Sequence, residues 1–268
     1  MPAGTSQNRG EQIYQPKKIG LIGAGAIGQS LLRAIAAMPD VELAFVLVRD
    51  AGKLQGLDVD PSVVVTDPSA AIERDADLVL EAATPALVAA LAPGWLERAD
   101  FCAFSCSALA DAETDRAVRA AAAQSGRRFF VPHGAVLGLD GIADGRDLIE
   151  RVTITTTKSG KSLGLDPETE GLVFEGSVRE ACGLFPRNVN VHAAIALAGI
   201  GFDQTTSRII AEPGLATNQH RIEVTGEGFD WDLGVSSRSL GGVTGSYTPL
   251  SAVGSLRRIL GGTGVALV

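Results

Sequence analysis

The chain has 268 residues, of which 46% are hydrophobic and 20% charged, and its formal net charge is −8. That length and balance suit a globular protein with one large or two small domains around a substantial core. The acidic balance argues against a nucleic-acid surface, which needs a basic face toward phosphates, and no apolar run approaches the roughly 20 residues that cross a bilayer.

Residues 1–17 (MPAGTSQNRGEQIYQPK) lack the apolar core of a signal peptide and read as a disordered lead-in to a cytoplasmic protein. A short apolar run (Ile19, Leu21, Ile22) then stops at Gly23-Ala24-Gly25-Ala26-Ile27-Gly28, followed by an amphipathic stretch and a second apolar run from Val41 to Val48. This is strand, glycine turn, helix, strand. A dinucleotide needs that arrangement because its pyrophosphate must come close to backbone N–H groups at a helix N-terminus. Gly23 permits the tight turn, Gly25 keeps a Cβ out of the phosphate's way, and Gly28 lets the helix lie close to the strand. Ala26 and Ile27 supply the first N–H groups of that helix.

The second strand bears on which dinucleotide is bound. An acidic residue about 20 positions beyond the last glycine takes the ribose hydroxyls in NAD sites. Here that place falls at Val46 to Asp50, with Val48 where the acid is expected and Arg49 directly after it. An arginine there can pair with a 2′-phosphate, which favours NADP. Asp50 can reach the ribose if the strand ends later, and a solvated turn is the plain alternative for both. The cofactor is therefore read as NAD or NADP.

The alternation continues. Ser62–Thr66 reads as a short strand, Pro68–Arg74 as a short helix, Asp77–Ala82 as a buried strand ending at Ala83-Thr84-Pro85, and Ala86–Arg98 as a helix. Phe101–Ser105 is the next strand, Asp111–Ser125 an alanine-rich helix with Asp111 as N-cap, and Arg128–Val131 a further strand leading into Pro132-His133-Gly134-Ala135. Strands alternating with helices of this length imply a Rossmann-type α/β fold with a doubly wound parallel sheet. Ligands bind such sheets beyond the carboxyl ends of the strands. That rule places Gly23–Gly28, Ala83–Pro85, Ser105–Leu109 and His133–Val136 along one edge, as the cofactor crevice.

After a boundary near Ala135 the rhythm changes. Leu148–Lys158, containing RVTITTTK, reads as a long alternating strand. Phe174–Cys182 reads as a helix, Phe185–Asn190 as a turn opening an apolar helix over Val191–Ala198, and Thr205–Ala211 and Arg221–Thr225 as strands. Val235–Leu240 is a further strand candidate, and 250–260 is a closing helix that returns to the first domain. Several strands without regular intervening helices imply a second α+β domain with a mixed or antiparallel sheet. Ser159-Gly160-Lys161-Ser162 is not the end of a P-loop, because the motif's first glycine would have to stand at Thr155.

Cys102, Cys106 and Cys182 are odd in number and scattered, as expected of buried free thiols in a reducing compartment. His133, His192 and His220 are far apart and no CxxC or HxxxH spacing accompanies them, so no metal site is expected. His220 opens the strand His220-Arg221-Ile222-Glu223-Val224 and shares a face with Ile222 and Val224. An imidazole there is either a hydrogen-bonded structural histidine or a proton-transfer group facing a cleft. Of Asn188 and Asn190, one is accounted for by capping of the apolar helix, and the other can offer its amide to the nicotinamide or to substrate. His133, at a strand's carboxyl end, is placed for a ligand contact. Lys158 and Lys161 can hold a substrate carboxylate, with solvated surface lysines as the alternative.

Together, GAGAIG (23–28), HGAVLGLDGI (133–142), TITTTK (153–158), FPRNVNVHAAIALAG (185–199) and NQHRIEVTGEG (218–228) resemble the L-aspartate dehydrogenase family, over nearly the whole chain from Lys17 onward. The resemblance implies a homodimer that uses NAD or NADP to interconvert L-aspartate and iminosuccinate, or oxaloacetate plus ammonia. Iminosuccinate would feed NAD synthesis. Residues 18–134 would be the dinucleotide-binding domain and 135–245 the substrate-binding and dimerisation domain. The family's catalytic histidine falls on His220, and its cofactor contacts fall on Ala135 and Asn190. Family members often carry Arg-Lys-Pro after the threonine-rich strand, where this chain has Lys158-Ser159-Gly160. Two substrate carboxylates require cationic or N–H partners, for which Lys158, Lys161 and the backbone amides near Ser159-Gly160 are the candidates, with His133 and Asn188 as further candidate substrate contacts. The alternatives are another two-domain reductase, of the homoserine dehydrogenase or dihydrodipicolinate reductase type, and an NAD(P)-sensing protein without catalysis.

Overall fold

The computed structural model describes residues 16–240 and 243–261. The opening apolar run forms β1 (Lys17–Ile22), in which Ile19, Leu21 and Ile22 are fully buried. Burial on both faces is the mark of a central strand in a parallel sheet. There follow α1 (Ala26–Ala36), β2 (Val41–Leu47), β3 (Val64–Val65), α2 (Pro68–Ile72), β4 (Leu78–Glu81), α3 (Pro85–Leu96), β5 (Asp100–Ala103), α4 (Ala112–Ser125) and β6 (Phe129–Phe130). Asp111 caps α4, its carboxylate accepting from Thr114 N. All six strands pair in parallel, in the order β3-β2-β1-β4-β5-β6. The strand order reverses direction between β1 and β4, and a crevice opens beyond the carboxyl ends at such a switch point.

The second domain comprises α5 (Leu139–Gly145), β7 (Ile149–Lys158), α6 (Gly160–Leu163), β8 (Gly171–Ser177), α7 (Val178–Leu184), α8 (Asn190–Ala198), β9 (Thr206–Ala211), β10 (Thr217–Gly226) and β11 (Phe229–Arg238). Its sheet runs β11-β10-β7-β9-β8, with β7 and β9 parallel and the other pairs antiparallel, so it is mixed. The closing helix α9 (Tyr247–Leu260) returns to the first domain, where Ala252 and Leu256 bury in one cluster with Leu31, Leu32 and Ile35 of α1. Near its start, Ser251 Oγ donates to Gly134 O at 2.5 Å, and the Tyr247 ring lies 6.3 Å from that of His133. The outgoing and returning passages between the domains are thus joined.

Three expectations need correction. Lys17 is not part of a lead-in: it belongs to β1 and pairs with Val41, while residues 1–15 lie outside the described residues. Phe174–Ser177 is strand rather than helix, with Phe174 opposite Ile209 and Ser177 opposite Thr206. The helix starts only after Ser177, which forms a capping box with Glu180. That S-x-x-E signature is present in the sequence and marks the boundary. Finally, His220 does not open its strand. It is the fourth residue of β10, opposite Thr156 of β7 on one side and Val235 of β11 on the other. Asn218, His220, Ile222 and Val224 are buried on one face, with Arg221 and Glu223 on the other.

Candidate active site

The glycine turn adopts the geometry that close approach to a phosphate requires. Gly23 has φ +98°, and a Cβ on Gly28 would lie 2.1 Å from Gly23 O. These two glycines shape the turn. Around Gly25, by contrast, an added Cβ would meet nothing within 4 Å. Gly25 is the N-cap of α1, without a side-chain cap and without an acidic residue in the first turn. The first N–H groups of α1 therefore have no intrahelical acceptor, and Gly25, Ala26 and Ile27 line a cavity between the two domains. An uncapped helix N-terminus beside open space fits a pyrophosphate. Gly25→Val is accordingly expected to fold but to lose dinucleotide binding in a titration, whereas Gly28→Ala should lower the melting temperature. Unchanged cofactor affinity in Gly25→Val would overturn this placement.

Ala83, Pro85, Ser105, His133 and Ala135 line the same cavity, as the switch-point rule requires. Thr84 is the N-cap position of α3 and is not among the lining residues. Arg49 is exposed at the end of β2, also outside the lining, and Asp50 uses its carboxylate to accept from Gly52 N in the turn that follows. His133 is half-buried, with Nδ1 2.6 Å from Val136 O. A carbonyl only accepts, so Nδ1 carries a proton, and burial holds the ring's pKa below its usual value.

From the second domain the cavity receives Lys158, Arg187, Asn188, Asn190, Asn218 and His220. Neither Asn188 nor Asn190 caps α8, whose N-cap is Val189 with no side-chain bond. Asn190 Oδ1 instead accepts from Ser107 N at 3.1 Å, which ties α8 to the first domain and leaves the amide nitrogen as the available donor. Asn188 Oδ1 accepts from Lys158 Nζ at 3.4 Å. Ser159 hydrogen-bonds Ser162 as the cap of α6, and neither it nor Lys161 lines the cavity.

Lys158 is only 2% exposed. Its ammonium donates to Val243 O at 3.1 Å and to Asn188, and no carboxylate pairs with it among the described residues. Burial lowers its pKa to about 8. A buried cation without a counter-charge is a ready place for an anionic group. His220, 4% exposed, has Nδ1 2.8 Å from Thr156 Oγ1, leaving Nε2 as the nitrogen available to the cavity. Burial, and then the charge of Lys158, push its pKa down to about 3, so the ring is neutral at physiological pH.

Several residues of the site were not singled out from sequence. Thr156 Oγ1 also lies 2.6 Å from His192 Nε2, and His192 Nδ1 lies 2.7 Å from Ser207 Oγ. Glu81, fully buried at the end of β4, accepts from Ala83 N at 2.6 Å and from Ser105 N and Oγ at 3.0 and 2.9 Å. It joins two lining loops, and desolvation outweighs these bonds to raise its pKa to about 7. An acid closing an otherwise apolar strand (LVLE) is the signal that could have found it. Arg187 lies exposed at the cavity, next to Asn188.

A doubly wound sheet with an anion-ready helix end, facing a second domain that presents a neutral histidine and a buried cation, defines a two-domain NAD(P)-dependent oxidoreductase. Residues 140–259 match the family model described as aspartate dehydrogenase, C-terminal, and residues 23–132 match that of the homoserine dehydrogenase NAD-binding domain. The chain is 36% identical to L-aspartate dehydrogenase of Methanosarcina barkeri, over 91% of this chain and 97% of that one. With the enzyme of Serratia proteamaculans the identity is 34%, over 93% and 100%. Among solved structures, aspartate dehydrogenase from Thermotoga maritima superposes with a TM-score of 0.73 at 28% identity, covering 93% of this chain and 99% of that one. The chain belongs to the L-aspartate dehydrogenase family.

Proposed function

We propose that the protein oxidises L-aspartate to iminosuccinate, and runs the reverse reaction from oxaloacetate and ammonia, with NAD(P) as hydride carrier. The observation that carries this reading is the buried, uncompensated Lys158 ammonium beside His220, in the same cavity as the uncapped end of α1. A dinucleotide held at the uncapped end of α1 would supply the acceptor for the hydride that leaves Cα. Lys158 binds a substrate carboxylate, with Asn188 steadying the ammonium. Asn190, through its available amide nitrogen, together with Ala135 and the Ala83 loop, would hold the nicotinamide end of the cofactor. His220 takes the proton released as the amine becomes an imine, or the proton of the attacking water, and returns it in the reverse direction. A carboxylate on Lys158 cancels the positive charge that depresses His220, so the base strengthens when substrate is seated. Holding the reacting carbons together away from water contributes much of the acceleration.

In this reading 18–134 is the dinucleotide-binding domain and 135–245 the substrate-binding and dimerisation domain of a homodimer. A cytoplasmic setting accords with the buried free thiols Cys102, Cys106 and Cys182. No helix among the described residues is long and apolar enough to cross a membrane. Incubation with NAD or NADP and a panel of amino acids, while following reduced-cofactor absorbance, tests the assignment. Reduction with homoserine but not aspartate, or with none of the panel, would refute it. Cofactor choice has its own test: Arg49→Ala is expected to weaken NADP binding by about 2 kcal/mol more than NAD binding, through loss of a charge-assisted pair with the 2′-phosphate. Equal losses for the two cofactors would reduce Arg49 to a turn residue.

A further inference from the structure

Four side chains from four elements form one buried line: Ser207 of β9, His192 of α8, Thr156 of β7 and His220 of β10. The first three are at most 1% exposed, so no water competes for these bonds. The line has a strict proton count. Thr156 Oγ1 has one hydrogen and sits between two imidazole nitrogens, at 2.6 Å from His192 Nε2 and 2.8 Å from His220 Nδ1. It can donate to only one of them and must accept from the other. The tautomers of the two rings are therefore linked. If Thr156 donates to His192 Nε2, His220 must carry its proton on Nδ1, and its Nε2 is bare toward the cavity. If Thr156 donates to His220 Nδ1, the proton of His220 is on Nε2, and no lone pair faces the substrate.

We infer that Thr156 and His192 are positioning residues that hold His220 in the Nδ1–H tautomer, with its bare Nε2 presented to the substrate. The inference rests on the reading of His220 as the proton acceptor. His192 serves as the hydrogen-bond acceptor that draws the Thr156 hydroxyl away from His220, and Ser207 Oγ accepts the His192 Nδ1 proton at the far end. The hydrogen bond made by one ring nitrogen sets whether the other carries the proton. A base held in the wrong tautomer loses orders of magnitude in rate while keeping its geometry.

The groups facing this line are His192 itself, Lys158 on β7 and the hydroxyls named. Burial first, and then neighbouring positive charge (His220 and Lys158 at His192, Lys158 at His220), disfavour an imidazolium at either ring. The line is therefore neutral in the resting protein, and the tautomers can be read directly.

The experiment is nitrogen-15 NMR on the whole protein labelled at histidine, with the three rings assigned by single substitutions. In the parent protein His192 and His220 are both expected as Nδ1–H tautomers. In His192→Leu, which offers Thr156 no acceptor, His220 is expected to switch to Nε2–H, and kcat for aspartate to fall about 10²-fold with cofactor affinity unchanged. His192→Gln, whose amide oxygen accepts, should restore the Nδ1–H form and much of kcat. A parent protein with His220 in the Nε2–H form, or a His192→Leu protein with neither tautomer nor kcat altered, overturns the inference. If His192→Leu does not fold, Thr156→Val against Thr156→Ser makes the same comparison, and the parent spectrum decides on its own. Failure of the aspartate reading would show separately, as a parent protein that reduces neither cofactor with aspartate.

Discussion

Replacing His220 with alanine is expected to lower kcat for aspartate by about 10²-fold or more, within the range of a general acid–base group. Affinity for NAD(P) should be unaffected, because the cradle proposed for the cofactor is built from the α1 end, the Ala83 loop, Ala135 and Asn190 and does not include His220. The ring is buried in mid-strand and bonded to Thr156, so the melting temperature should fall by a few degrees while the protein stays folded at 25 °C. Turnover must therefore be expressed per folded, cofactor-binding molecule, counted by titration of the same preparation. Turnover within about threefold of the parent on that scale would remove His220 from the chemistry. The pH dependence has a definite sign. His220 is neutral down to about pH 3 in the free protein, so the free enzyme should keep its base form throughout the neutral range. Decline of kcat/KM toward high pH should instead follow Lys158, as its ammonium loses its proton near pH 8.

Lys158→Met should move activity and stability in opposite directions. In the folded chain the ammonium titrates at about 8 rather than 10.5, so holding it charged costs folding about 3 kcal/mol at neutral pH. That cost is fully present below pH 8 and disappears as pH rises through 8 toward 10.5, where the unfolded chain also loses its proton. Methionine fills a similar volume without the charge. The variant is expected to melt about 5 °C higher at pH 7, with the gain shrinking as pH rises to 10, while KM for aspartate rises at least about 10²-fold. Calorimetry across pH, paired with steady-state kinetics, checks both halves. A destabilised variant with unaltered KM would mean that the ammonium serves the fold rather than the substrate.

The first domain was legible because each of its elements announces itself locally. Apolar runs, proline and glycine breaks and the GAGAIG turn recur at the spacing a parallel sheet demands, and the switch-point rule then places the loops. The second domain was less legible. Phe174–Ser177 lies on the edge strand β8, which is only half-buried and lacks clean alternation, so its β-ladder with β9 left little trace in the pattern. The asparagines of FPRNVN resemble caps to any local reading. Their actual partners, Lys158 and Ser107, lie 30 and 83 positions away. Thr156 sits in a run of threonines that could equally face solvent, and only the packing of β7 between β9 and β10 brings it between two histidines. Strand neighbours are a tertiary property, and hydrogen-bond lines that cross several strands inherit that distance from sequence. That Gly25 lines the cavity followed from a local motif, and that His220 lies on the buried face of its strand followed from a simple alternation. The catalytic role of His220 came only with the family resemblance.

The joined passages between the domains bear on how the cavity can open. The chain crosses out through His133–Ala135 and back through Val243–Thr248, and both segments line the cavity. The Ser251–Gly134 hydrogen bond fastens the two crossings side by side. Two crossings fastened side by side restrain twisting of one domain against the other more than a single connection would, and hinge bending is the motion expected to remain. Because both crossings form part of the wall, a ligand that touches His133 or Thr248 rests on the segments that join the domains. Filling the cavity is therefore expected to bear on the angle between them.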